Sequence, residues 1–195
     1  MIYSDQPCRP FDNRRKGLNL GEGAGFMLLE AAEAADKRGA APLAKLLAYG
    51  AASDGHHLTA PHPEAFGLRR AIQEALGRSG LKAADLAFVN AHGTATPDND
   101  RVEALAIRSE LPETFLWAVK GSTGHTLGAA GALEAVLTVT ALREGLLPAS
   151  RGFAEPDSIL NIKPTQKSTR FDGRAAISLT LGCGGGHTAL IFGRI

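Results

Sequence analysis

Two histidines close two similar stretches of the chain. His92 ends the run in "LAFVNAHGT" and His125 ends "FLWAVKGSTGH"; each follows an apolar strand-like segment and precedes small residues. Lys120 stands five residues ahead of His125, and Glu134 lies fourteen residues beyond Lys120 in an otherwise apolar stretch. A neutral imidazole can aim an N–H donor at an oxygen that becomes negative during a reaction. Two such residues in the same local setting, one accompanied by a lysine, form a pattern suited to stabilising an enolate or oxyanion. A single histidine at a strand end is more often structural; the repetition shifts that balance. An unpaired carboxylate among apolar residues is costly. Glu134 therefore needs a partner, and a helix returning from the strand end offers it Lys120.

Other chemistries fit less well. His56, His57 and His62 fall in a polar loop, "SDGHHLTAPHP", without HExxH or cysteine–histidine ligand spacing, so no metal is expected. "GEGAGF" and "GCGGGH" are glycine-rich, but strand-like sequence follows each. A dinucleotide fingerprint needs a helix there, and no GxxxxGK[ST] loop is present, so both nucleotide readings fail. Of the two cysteines, Cys8 sits in "QPCRP" with no strand–turn–helix elbow around it. Cys183 sits in the turn "LGCGGGH", where a small turn hydrophobe is the simpler reading. No GxSxG elbow occurs.

Composition is that of an ordinary soluble domain: 195 residues, 44% hydrophobic, 21% charged, net charge +1. That charge offers no basic field for nucleic acid and no strong pull to a membrane. No apolar run approaches the ~20 residues that span a bilayer, and the first residues lack the apolar core of a signal peptide. Two cysteines make no disulfide framework, so a reducing cytoplasm is expected.

The elements that must hold these residues can be read from periodicity. The first twenty residues are an extended lead-in. A short apolar strand is expected over 26–29, then an Ala/Glu helix ending at Lys37-Arg38-Gly39. "PLAKLLAYGAAS" suits a buried strand, and "EAFGLRRAIQEALGRSGL" a helix stopping at Gly77 or Gly80. "LAFVNAHGT" is a strand, "DRVEALAIRSEL" a helix with Asp100 as its cap, and "FLWAVKGSTGH" another strand. The helix over 131–145 is apolar nearly all round, which predicts burial on every side and a missing partner layer. Two strands joined by the glycine turn end the chain. This alternation argues an α/β layered fold with a mixed five-stranded sheet flanked by helices, in one domain over 1–195. In such sheets chemistry gathers beyond the carboxyl ends of strands, where "NAHGTATPDND", "KGSTGH" and "LGCGGGH" all fall.

Together, "VNAHGTATPDND", "VKGSTGHTLGAAGALEA" and "RPFDNRRKGLNLGEGAGFMLLE" resemble the C-terminal half of a β-ketoacyl-acyl carrier protein synthase, a condensing enzyme of the thiolase fold. The likeness runs from about Arg9 to Phe192 and keeps the family's order and spacing. It implies a decarboxylative Claisen condensation of malonyl-acyl carrier protein with an acyl thioester, in fatty acid or polyketide synthesis. His92 and His125 then correspond to the active-site histidines, Lys120 to the active-site lysine and Glu134 to its charged partner. Thr94 and Thr96 resemble the threonines that bind the pantetheine arm. Asp54 matches an acidic position near that network. The turn at Leu181-Gly182 resembles the gate whose backbone N–H completes an oxyanion hole. The implied partners are acyl carrier protein, an N-terminal half that brings the nucleophilic cysteine, and a second subunit in a dimer. No resident cofactor is implied, since the carrier brings its own phosphopantetheine.

The sequence departs from the family pattern at the gate, where "LGCGG" replaces a phenylalanine-containing turn and Gly186-His187 replaces Thr-Asn. Asn99 stands where glycine is common. Two alternatives remain at this level: a thiolase-type acyltransferase using Cys183 as base, and a non-catalytic chain-length subunit. Thiolases lack the "HGT" triplet, and retention of both histidines and the lysine argues against a non-catalytic chain.

Overall fold

In the computed structural model, which describes residues 3–195, five strands form one twisted sheet in the order β1-β7-β6-β2-β3. They are β1 (Lys45–Ser53), β2 (Leu86–Ala91), β3 (Phe115–Ala118), β6 (Ala175–Leu181) and β7 (Gly186–Gly193). β2 runs parallel to β3 and β6, whereas β7 is antiparallel to both its neighbours, so the sheet is mixed. A small ladder of β4 (Leu146–Leu147) with β5 (Thr169–Arg170) lies apart from it. Both are too short to leave a period-2 signal.

Side chains alternate across each strand, and the two faces bury different sets. On one, Val89, Ala91, Ile177, Leu179 and Ile191 meet α2 (Phe66–Ser79) and α3 (Pro97–Glu110). α2 places Leu68, Ala71, Ile72 and Ala75 on one stripe, and Gly80 ends it in the left-handed conformation. On the other face Phe88, Trp117, Ala176 and Phe192 pack against Ala135 and Leu142 of α5 (Ala130–Glu144). β2, β3 and β6 therefore end on the same edge of the sheet, with a helical layer on either side.

Several expectations are corrected. The segment 26–29 has no ladder partner among the described residues, and Phe26 and Leu28 are 90% and 87% exposed. The helix behind it, α1, covers only Ala32–Lys37. β1 is an edge strand with Leu46, Leu47 and Tyr49 exposed rather than a buried one. α5 buries Glu134, Ala135, Thr138, Ala141 and Leu142, while Leu133 and Val136 are only half-buried. The expected strand "FLWAVKGSTGH" stops at Ala118, and Lys120 opens a one-turn helix, α4 (Lys120–Thr123). Asp100 lies inside the first turn of α3, whose cap position is Thr96. The lead-in has no regular ladder but is tied down: Phe11 is fully buried. No helix among the described residues is long and apolar enough to cross a membrane.

Four consecutive apolar residues in an extended, unpaired segment are an adhesive edge. The chain by itself is expected to self-associate through 26–29. Sedimentation of the double variant Phe26→Ser/Leu28→Ser should show a shift toward monomer, and a monomeric parent at high concentration would contradict this.

Candidate active site

The sequence around Lys120 folds as it does because backbones meet there. A Cβ on Gly121 would sit 1.8 Å from the carbonyl oxygen of Arg151, so only glycine lets α4 turn directly after β3. That turn carries Lys120 back under β2, where its ammonium is almost wholly buried. There it donates to Glu134 Oε1, to the carbonyl oxygen of His92, and to His92 Nδ1 at 3.0 Å. Glu134 Oε2 lies 3.8 Å from His92 Nδ1. Burial pushes the Glu134 carboxyl up, but Lys120 and His92 outweigh it and leave it below its ordinary value.

His125 stands beside this pair. Its ring centroid is 5.1 Å from that of His92, with the planes nearly perpendicular. The segment 19–21 fixes its backbone: His125 N–H donates to the Asn19 carbonyl at 2.8 Å, and Gly21 N–H donates to the His125 carbonyl at 3.0 Å. Its Nδ1 accepts the N–H of Leu127 at 3.1 Å. In both histidines Nδ1 is thus an acceptor, so each neutral ring carries its proton on Nε2. Burial, reinforced by the Lys120 cation, holds both imidazoles down at about 4, well below the usual histidine range.

Two carboxylates build the turn under His92: Glu103, which the sequence reading did not single out, and Asp100, which it read only as a helix cap. Glu103 accepts the N–H of His92 at 2.6 Å through one oxygen and that of Gly93 at 2.8 Å through the other. Burial pushes its carboxyl up to about 8 against the pull of these amides. Asp100 accepts the N–H of Phe11 at 2.7 Å and of Ala95 at 3.1 Å. Both of those residues are non-glycine positions with positive φ, 62° and 63°. The available signal was a carboxylate on the apolar face of a helix: Glu103 is fully buried between Val102 and Ala104.

The other candidates sort by position. Thr94 and Thr96 hydrogen-bond each other at 2.9 Å directly after His92. Leu181 ends β6 one residue past the level of His92, since Ser178 pairs with Asn90. Asp54 is not joined to His92, Lys120 or His125. Its carboxylate takes the N–H groups of His62 and Gly67 and Nε2 of His187. Cys8 is buried, and burial pushes its thiol up to about 11, which leaves it a poor nucleophile at neutral pH. Cys183 is exposed. No group of three or more metal-ligating side chains gathers among the described residues.

Removing one member of a buried ion pair strands the other. Lys120→Met is expected to cost about 3–5 kcal/mol in denaturant unfolding, and adding Glu134→Leu should recover much of that loss. The imidazole resonances of His92 and His125 should stay constant from pH 5 to 8, a range in which a free histidine titrates near ~6.5. A titration of either ring in that window, followed by NMR, would contradict the lowered proton affinity that burial and Lys120 impose.

Comparison with known proteins shows the family of the chain and its fold. The family described as "Beta-ketoacyl synthase, C-terminal domain" matches residues 43–154, more than half the chain. A mitochondrial 3-oxoacyl-[acyl-carrier-protein] synthase of Arabidopsis thaliana is 40% identical over 97% of this chain and 43% of its own length. Among solved structures, the ishigamide ketosynthase/chain length factor superposes with a TM-score of 0.94 at 34% identity, covering 100% of this chain and 48% of that one. A type II PKS ketosynthase solved in complex with its acyl-carrier protein gives 0.91 at 26% identity, over 97% and 48%. The chain thus spans about half the length of the relatives it matches. Its fold is that of the C-terminal half of a thiolase-like ketosynthase, and the chain belongs to the β-ketoacyl synthase family.

Proposed function

We propose that this chain supplies the His92, His125 and Lys120 part of the active site of a β-ketoacyl-acyl carrier protein synthase. The observation that carries this reading is the pair of imidazoles, ring centroids 5.1 Å apart, each with a donor placed against Nδ1, from which it follows that Nε2–H is left to donate. Loss of CO2 from a malonyl thioester leaves an electron pair on the α-carbon and negative charge on the thioester oxygen. The two Nε2–H groups are donors to that oxygen, oriented before the charge appears, so no solvent need reorganise. The α-carbon then attacks an acyl thioester held on a cysteine. The carbon–carbon bond forms as the carbon–sulfur bond breaks, and the thiolate leaves. That cysteine belongs to an N-terminal half, because Cys8 is buried with a raised pKa and Cys183 stands exposed in a turn. Lys120, neutralised by Glu134, holds His92 rather than acting on substrate.

Thr94 and Thr96 bind the pantetheine arm that an acyl carrier protein brings, so the enzyme itself holds no resident cofactor. The backbone N–H at Leu181 serves the oxyanion of the acyl-transfer step. The N-terminal half covers the outer side of α5 and pairs with 26–29, and the complete enzyme is a dimer of the cytoplasm. The ketosynthase and acyl-carrier protein complex found for one neighbour supports the carrier as partner. The ketosynthase/chain length factor neighbour brings the non-catalytic alternative into view. The intact set of His92, His125, Lys120 and Glu134 favours the catalytic reading.

The test separates the steps in the protein joined with an N-terminal half. His92→Ala and His125→Ala should each lower malonyl decarboxylation about 10²–10³-fold, while acylation of the cysteine survives in at least one of them. Decarboxylation at the parent rate in both variants would refute the assignment. Stoichiometric acylation of Cys183 in the chain alone, read by mass spectrometry, would favour thiolase chemistry instead.

A further inference from the structure

The helix α3 carries three neighbouring polar side chains under the turn that follows His92. Asn99, Asp100 and Glu103 are all buried, at 8%, 0% and 0% exposure. The Asn99 amide nitrogen lies 3.3 Å from Asp100 Oδ1 and 3.3 Å from Glu103 Oε2, and donates to both. Each of those oxygens also holds a main-chain donor of the turn. Asp100 Oδ1 accepts the N–H of Ala95 at 3.1 Å, and Glu103 Oε2 accepts that of Gly93 at 2.8 Å. One carboxamide thus joins the two acids that hold alternate amides of the turn. Asn99 is also a departure from the family pattern, at a place where glycine is common and could supply no such link. An amide nitrogen has two hydrogens to give and no charge to add.

We propose that Asn99 is a positioning residue: its uncharged NH2 bridges Asp100 and Glu103, lets the two acids share one dry place, and so holds the turn that carries His92 and Thr94. Like charges in a dry site raise each other's pKa. Burial pushes Asp100 up to about 6, with the Phe11 and Asn99 donors pulling against it. Burial pushes Glu103 up to about 8, and the Asp100 charge adds to the rise. The cations that face the pair are engaged elsewhere. Arg15 Nε, from the lead-in, is 4.0 Å from Asp100 Oδ2, while its Nη1 is bonded to Asp157. Lys120, from α4, is taken up by Glu134 and His92. The Cys8 thiol, which also faces Asp100 from the lead-in, is uncharged at neutral pH. Asn99 is therefore the donor that the two acids share. Its bearing on turnover rests on the condensation reading; the bridge itself rests on these distances. One substitution separates a bridge from an ordinary helix position. Asn99 lies in the first turn of α3, where the helix dipole favours a carboxylate. Asn99→Asp would keep the shape, yet it would remove both donors and set a third negative charge between two others.

Amide hydrogen exchange on the full chain, with the variant and the parent compared at the same pH, is the test. In Asn99→Asp the peptide over 92–96 should lose about tenfold in protection at about pH 8. The loss should close at about pH 5, because carboxyls whose pKa is raised by folding destabilise only once the pH climbs through their folded values, about 6 for Asp100 and about 8 for Glu103. Parent-like protection of 92–96 at the higher pH overturns the bridge, and so does a loss that is equal at both. If Asn99→Asp also strips protection from β6, Asn99→Ala decides, since it removes the donors and adds no charge. The carboxyl 13C resonances of Asp100 and Glu103 should then both titrate at higher pH than in the parent, and an unmoved midpoint for either one overturns the bridge. None of these readouts depends on turnover, so failure of the condensation reading and failure of the bridge are separate results.

Discussion

The site depends on one ion pair in a dry place. Lys120 is among the most deeply buried side chains of the described structure, and Glu134 is its counter-ion across the boundary between β3 and α5. Charges without water are tolerable only when paired and hydrogen-bonded. The ammonium meets that demand by donating to Glu134 and to both the ring and the carbonyl of His92. The arrangement fixes the imidazole, dictates its tautomer and lowers its proton affinity at once. Everything around it serves the approach of three elements: the sharp turn at Gly121, the helix α5 that returns the carboxylate, and β2, which ends where the ring must stand.

A second layer of buried acids holds the backbone of the turn. Glu103 receives two consecutive amides and Asp100 two amides from segments distant in sequence. This division of labour is economical in physical terms. Side-chain charge orients the ring that would face substrate, while carboxylates on α3 orient the main chain that carries it. Neither set relies on exposed ion pairs, whose contribution would be small and screened by salt.

Much of this was legible beforehand, for identifiable reasons. His92, His125 and Lys120 announced themselves as polar residues at the ends of apolar strands, and Glu134 as a carboxylate among apolar neighbours. The element order gave the mixed sheet. What escaped was whatever depends on contacts between distant segments. Periodicity cannot show that β1 is an edge strand, that the outer side of α5 lies half-open, or that 26–29 lacks a ladder, because each depends on what lies next to the element. The glycines on either side of His125 look alike in sequence, yet they divide. A Cβ on Gly124 would strike the backbone at Gly21, whereas Gly128 faces open space. Asp54 anchors a loop through the N–H groups of His62 and Gly67, and its histidine partner lies at the far end of the chain, a contact no local pattern could show.

The carboxylate of Asp100 has an implication for how this protein comes apart. It is the common anchor of Phe11 in the lead-in and Ala95 in the turn after His92, two residues whose backbones are unfavourable without it. A nick or fray near the start of the chain would release Phe11 from the core and remove one of the bonds that hold Asp100. The turn bearing His92 would then feel a wound some eighty residues away in sequence but adjacent in space. The irregular opening segment is thus part of the scaffold of the His92 turn, and its damage would be read first as lost order at that edge rather than as loss of the sheet.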